Sequence, residues 1–434
     1  MMKMPLLLVL LLIGIATLLA PDLRSASALN VRGPLLKSQT YLSPPILLLP
    51  GSVSNKYYLD IPFPRGHLAL KSFNAEVVDE RGAPVPLHET YLHHWVVEPY
   101  YAPAGSKEDD AAKNGSAAFP NKVVMARNSG VCTNTLGQYY GLGSETRRTA
   151  TWVPDPYGIE IGLPPAGHDE RWLLNVHAID TRGAVDRLGC TECRCALYNV
   201  TVDEYGRAIG EGYTGGLRCC YDGTRCSAAL ARGEQELARK VFLRYTVTWQ
   251  DWSPAVLPVR IYIFDVTDMA LLEGKPAGTA CRVEYEVEEA CKDQGGACVH
   301  VLETKQVLPR GGDVVFGVAH QHSGGIAASL RGDDGRLLCE SVATYGDGEE
   351  PGNEAGYIVG MSTCYPTPGS VRVRGGEALT VVSNYSSERQ HTGVMGLFYI
   401  LVADHVEVEQ QQKPGLCFSF PVSWCLPSWV SSNL

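Results

Sequence analysis

The strongest constraint on this chain is a succession of short segments rich in Val, Ile, Tyr and Thr, each closed off by Gly, Pro or Asp. Lys240–Trp249, Pro258–Phe264, Arg282–Glu288, Asp313–Ala319 and Ala378–Ser383 all have this form. Gly396–Ala403 is a continuous apolar run suited to a core strand. β-Branched and aromatic side chains fit a pleated surface, whereas Gly and Pro interrupt it. With 45 glycines and 27 prolines in 434 residues, turns are frequent enough to separate strands at short spacing. One Ala/Leu/Glu stretch, Ala228–Lys240, predicts a helix. The expected fold class is all-β, built as antiparallel sandwiches, and the length suits two or three domains.

Two stretches break the pattern. Residues 104–117 are polar and read as a surface loop. Residues 189–233 hold Cys190, Cys193, Cys195, Cys219, Cys220 and Cys226 and read as a cysteine-rich, disulfide-stapled insertion. The Cys-x-x-Cys-x-Cys spacing also suits zinc, but an even cysteine set in an oxidising compartment favours disulfides. Cys219 and Cys220 are not expected to bond each other, because adjacent Cα atoms lie about 3.8 Å apart, below the usual disulfide range.

The compartment follows from the amino terminus. Lys3, the apolar run Leu6 to Ala20 and Ala26-Ser27-Ala28 make residues 1–28 a signal peptide. The apolar run falls short of the roughly 20 residues that span a bilayer, and no later segment is expected to cross one. Sequons at Asn114, Asn199 and Asn384 mark possible N-glycan sites, and they agree with export, as do the 14 cysteines. The expected location is secreted or extracellular, with the vacuole or another secretory-pathway compartment as the alternative. A formal net charge of -10 with no Lys/Arg run excludes an electrostatic footprint for nucleic acid or anionic lipid. Residues 411–434 form a tail in which Pro421 and Pro427 interrupt the aromatics, and Cys417 and Cys425 are candidates to pair.

The chemistry concentrates in histidines. His320 and His322 stand at i and i+2 at the end of an apolar strand, so both rings emerge on one face, able to meet one metal. His93 and His94 are adjacent, and in a regular strand they would point to opposite faces. They can share an ion only if a bulge or twist re-aims one ring, or if they use different nitrogens. His177 ends the apolar run Leu173-Leu174-Asn175-Val176. His391 sits four residues before Met395 and reads as a turn residue, a neighbour of the ligands or an alternative ligand.

In order, Leu92-His93-His94-Trp95, then Leu173 to His177, then Val318-Ala-His320-Gln-His322-Ser-Gly324, then Met395 before an aromatic strand resembles the type-two, ascorbate-dependent copper monooxygenases. That family includes peptidylglycine alpha-hydroxylating and dopamine beta-monooxygenases. Over residues 35–405 the chain resembles the plant stress up-regulated nodulin family more fully, through Tyr-Leu-His-His-Trp, the cysteine-rich insert and His-Thr-Gly-Val-Met-Gly.

The monooxygenase resemblance implies two jelly-roll-like β-sandwich domains. Residues 35–270 would carry an all-His copper site of His93, His94 and His177. Residues 271–410 would carry a second site of His320, His322 and Met395, with Tyr399 in a catalytic position. Copper, two ions, with ascorbate as reductant, would then hydroxylate an unknown small-molecule or peptide substrate with dioxygen. Imidazole suits copper, and thioether sulfur favours Cu(I). Two positions depart from the resemblance: Val318 stands where an Arg clamps a substrate carboxylate, and Gly396 stands where a Cys follows the Met. An apolar side chain cannot replace a bidentate clamp, so a carboxylate-terminated substrate is not expected. The alternative function is a non-catalytic, stress-associated secreted protein that keeps the scaffold for binding. A cupin-like oxygenase ranks last, because no carboxylate follows His322 within Ser323 to Ser329.

Overall fold

Strand follows strand through most of the chain because apolar residues recur at every second position. In Arg239–Asp251 the residues Val241, Leu243, Tyr245 and Val247 are buried while their neighbours are half-exposed. That period of two commits one face to a core. The computed structural model describes residues 35–107, 123–126, 132, 137, 140–229, 237–271, 273–275, 280–291 and 298–404, and the backbone of 417–418 and 424–425. The fold is an all-β sandwich, and among the described strands pairing is antiparallel save for a short parallel contact of Leu257 and Pro258 with Tyr157 and Gly158.

The described residues form three large sheets and a two-stranded one in the tail. The largest runs in the order Lys37–Leu42, Arg239–Asp251, Leu68–Asp79, Tyr157–Ile161, Leu257–Asp265, His391–Ala403, Gly312–Gln321 and Arg372–Val373. A second sheet pairs Val53–Tyr58, His168–Asp180 and Thr90–Pro103, with Tyr140–Leu142 and Val124–Met125 also on the last of these. A third orders Val299–Val307, Ala378–Ser386, Gly325–Arg331, Leu337–Tyr345 and Ile358–Met361. The second sheet packs on the first through Phe73 and Trp95, whose rings lie 4.9 Å apart, and Phe63, in the connection before Leu68, stacks on Trp172 at 3.9 Å and on Phe73 at 6.0 Å. Such aromatic pairs contribute beyond the area they bury.

Leu257–Asp265, placed with residues 35–270 in the sequence analysis, pairs along most of its length with His391–Ala403. A 3-10 turn, Ser144–Arg148, adds a polar bracket between the two parts of the chain. Its Arg147 donates to Glu76 and Glu354 at 3.3 Å each and to the carbonyls of Val77 and Val85.

Where the sequence predicts a helix over Ala228–Lys240, the strand Arg239–Asp251 already begins at its end, and residues 230–236 lie outside the described residues. Among the described residues, helical turns fall at Arg187–Thr191 and Cys195–Tyr198, inside the cysteine-rich insertion. Asp186 caps the first of these through the Gly189 N–H.

Among the described residues six disulfides are formed: Cys132–Cys281, Cys190–Cys226, Cys193–Cys220, Cys195–Cys219, Cys291–Cys298 and Cys339–Cys364. All six cysteines of the insertion are paired with one another. Cys219 and Cys220 bond different partners, as the spacing argument requires. In the tail the backbone of Cys417 pairs with that of Cys425. The signal peptide expected at residues 1–28 and the sequon at Asn114 lie outside the described residues. Among the described residues, no helix is long and apolar enough to cross a membrane.

Candidate metal centre

The histidines are placed by strand geometry. Thr90–Pro103 pairs with His168–Asp180, and the register slips between Leu92 and His94: Leu92 faces Ala178 and His94 faces His177. His93 is the extra residue of a β-bulge. A bulge leaves one residue unpaired and re-aims its side chain, so two adjacent histidines serve one side. The ring of His93 lies 5.5 Å from that of His94 and 4.4 Å from that of His177, and His94 lies 5.1 Å from His177. One ligand nitrogen of each falls within 4.8 Å of the other two.

His320 and His322 close the opposite side. Their strand pairs with His391–Ala403, setting His320 across from Leu397 and Val318 across from Tyr399. The two rings stand 5.1 Å apart on one face, as period two requires. Met395 is buried, and it lines the same cavity as His94, His320 and Tyr399. The Tyr385 hydroxyl accepts the His322 N–H at 2.8 Å and donates to the Met395 carbonyl at 2.6 Å, locking the ends of the two strands together.

Outer contacts fix the rings. His320 Nδ1 bonds the Glu145 carboxylate at 2.5 Å, and the other Glu145 oxygen accepts the Gly143 N–H at 2.9 Å. His322 Nδ1 bonds the Gly393 carbonyl at 2.9 Å, and His94 Nε2 bonds the Asn175 amide oxygen at 2.7 Å. Partners of this kind set which ring nitrogen is free to ligate.

Four of the remaining nitrogens have no such partner. His93 Nδ1, both nitrogens of His177 and Nε2 of His322 are buried without a hydrogen bond. The Cys220 backbone lies beside His177 but does not reach hydrogen-bond geometry. A buried unpaired polar atom costs about 1–3 kcal/mol. Four of them on three contacting rings form a donor set whose burial makes sense once a cation is bound.

The protonation states agree. Burial, and then repulsion from His177, His322, His94 and His320, hold His93 well below the usual imidazole range. Burial, and then His94, do the same to His177. Burial, and then His320, depress His322 against the opposing Gly393 carbonyl. His94 is pushed down to about 4 by burial, with the Asn175 contact opposing. Neutral imidazole is the ligating form, so the set is ready for a cation at neutral pH. In the unfolded chain these rings titrate near 6.5. The metal-free protein should therefore keep its full stability above that pH and lose it as the pH falls toward about 4, where His94 protonates in the fold. Urea midpoints of metal-free protein at pH 7 and pH 5 check this, and an unchanged or higher midpoint at pH 5 refutes it.

The cavity beside the rings measures about 220 Å³. Trp95, Leu142, Leu173, Val283 and Leu397 make much of its wall apolar. A smaller apolar recess of about 60 Å³ adjoins it, sharing Trp95, Leu142 and Tyr399 and including Val318. The Cys193–Cys220 disulfide covers the other side of the cluster, both sulfurs within 4.8 Å of a His93 nitrogen.

Spacing put only His320 and His322 on one face, the resemblance named His93, His94 and His177 beside them, and no sequence signal marks Glu145, Asn175 or Gly143. Gly143 is required by close approach: a Cβ there would sit 2.5 Å from the His93 carbonyl oxygen and 3.1 Å from His320 Cε1. Gly143→Ala is expected to cost about 1–3 kcal/mol through overpacking and to weaken metal binding. Denaturant unfolding and metal titration check both, and wild-type values in each would count against this packing. His391 is not a turn residue at the surface. It is buried and bonds Glu192 at 2.7 Å, tying the insertion to the strand that carries Met395.

Comparison with known proteins adds a family but no activity. No curated protein matches the chain. Among solved structures, VP2 of infectious bursal disease virus in a subviral particle aligns over 85% of this chain and 72% of that one, at 8% identity and a TM-score of 0.18. The mosquito-larvicidal Cry4Aa toxin of Bacillus thuringiensis aligns over 77% and 58%, at 8% identity and a TM-score of 0.17. Scores this low carry no argument. The model of the stress up-regulated Nod 19 family, by contrast, matches residues 34–405, a span that takes in every histidine of the cluster, the cysteine-rich insertion and Met395, so the chain belongs to that family.

Proposed function

We propose that this chain is an exported copper-binding oxidoreductase that acts, with a reductant such as ascorbate, on a small substrate held in the cavity beside the histidines. The observation that carries this reading is the convergence of His93, His94, His177, His320 and His322, with four buried nitrogens unpartnered. Their chemistry fits the group: imidazole accepts several transition ions, and a thioether at Met395 favours Cu(I) among them. His93, His94 and His177 would hold one ion, and His320, His322 and Met395 the other. Bound copper would supply one-electron redox chemistry with dioxygen.

The chain's own residues do the rest. Glu145, Asn175 and the Gly393 carbonyl orient three rings. Trp95, Leu142 and Leu397 keep water from much of the cavity wall, and the Tyr399 ring forms part of that wall. Val318 and its apolar neighbours in the recess offer no cation to a carboxylate, which favours a neutral substrate.

The test is metal analysis of the purified, copper-reconstituted protein, together with ascorbate-dependent oxygen consumption. Roughly two ions per chain, one for each ligand set, and oxygen uptake are expected. Copper without oxygen uptake would leave a binding protein on the same scaffold. Absence of copper would refute the reading.

A further inference from the structure

The two ligand sets are not separate in space. His93 belongs by strand to the first set, yet its ring lies 4.5 Å from that of His322, as close as it lies to His177 at 4.4 Å. His322 in turn lies 5.1 Å from His320. From His94 through His177, His93 and His322 to His320 the rings form one unbroken contact chain. No side chain separates His93 from His322, and both are buried, with unpartnered nitrogens on each.

Resting on the copper-binding reading above, we propose that the five histidines build a single dinuclear centre with His93 at its junction, and that two ions bound there interact directly. A ligand nitrogen sits about 2.0 Å from its metal, so an ion lies only a little over 3 Å from the centroid of the ring that holds it. With the His93 and His322 centroids 4.5 Å apart, ions held on the facing sides of these rings have no protein between them. Glu145 and the Gly393 carbonyl already occupy Nδ1 of His320 and of His322. That leaves Nε2 of each ring for a metal, and Nε2 of His322 is buried without a hydrogen bond. His93 therefore conditions the occupancy of both sets, whereas His94, whose ring meets His93 and His177 and bonds Asn175, conditions chiefly its own.

The functional consequence is that two electrons can be delivered from one place. Independent sites would have to pass the second electron through protein or solvent.

The experiment is electron paramagnetic resonance of wild-type protein loaded with Cu(II), alongside copper counted by elemental analysis. Two ions per chain are expected, with a half-field transition and an integrated intensity well below two spins. In His93→Ala, with folding checked by circular dichroism, the coupling should vanish and copper affinity at the His320–His322 pair should fall at least tenfold. His94→Ala should spare that affinity. Two full, independent spins in the wild type would overturn the proposal while leaving copper binding intact. A single ion per chain would overturn it as well. No copper at all would instead remove the copper-binding reading on which it rests.

Discussion

Copper loading is expected to raise the unfolding free energy by about 4 kcal/mol when the free ion stands a thousandfold above its dissociation constant. His177→Ala is expected to remove most of that gain. His177 is fully buried, and neither of its ring nitrogens has a hydrogen-bond partner. In the metal-free fold those atoms carry a desolvation cost that binding would relieve. Alanine removes the ring, and with it both the cost and the ligand. The variant should therefore lose little stability without metal beyond the cavity it leaves, yet respond weakly to copper. Denaturant unfolding with and without copper measures both quantities. If wild type and variant gained equally, His177 would not be a ligand. If neither gained, no cation site would be present.

The second large effect is expected at Glu145, a carboxylate with no exposed surface. Its two oxygens serve two buried donors, His320 Nδ1 and the Gly143 N–H. Glu145→Ala strands both and opens a cavity, so a loss of about 3–5 kcal/mol is expected, as when one member of a buried pair is removed. Copper affinity should fall by roughly 10- to 100-fold, the usual consequence of removing an outer partner of a ligating histidine. Glu145→Gln separates packing from acceptance. It keeps the shape, but one acceptor oxygen becomes an NH2 group facing a donor. It should therefore lose copper affinity while losing less stability than alanine, about 1–3 kcal/mol. Unfolding and competitive copper titration of the two variants decide the matter. A glutamine variant matching wild type in both would show that Glu145 does not set the orientation of His320.

Much of the site could be read before folding, and the reasons differ residue by residue. His320 and His322 share a face because strand side chains alternate, a rule that needs no tertiary information. The apolar run ending at His177 likewise announced a buried strand. Met395 came only through resemblance, since a lone methionine in a strand carries no signal of its own. His93 and His94 marked the limit: the same period of two that unites His320 and His322 should have parted them. What reunites them is the register slip opposite Ala178 and His177. Glu145 was invisible, because a carboxylate in a short turn 175 residues away from His320 has no local reason to be singled out.

The amino-acid sequence by itself settled the strand-built class, the insertion's reliance on disulfides and the facing of His320 with His322, because each follows from short-range periodicity or spacing. Only the tertiary structure decided which cysteines join, since six allow 15 pairings by arithmetic alone. It also decided that His93 bulges from its ladder, that Glu145 reaches His320, and that His93 meets His322. These depend on how sheets distant in the chain pack together, and packing energy is shared among residues that no local pattern connects.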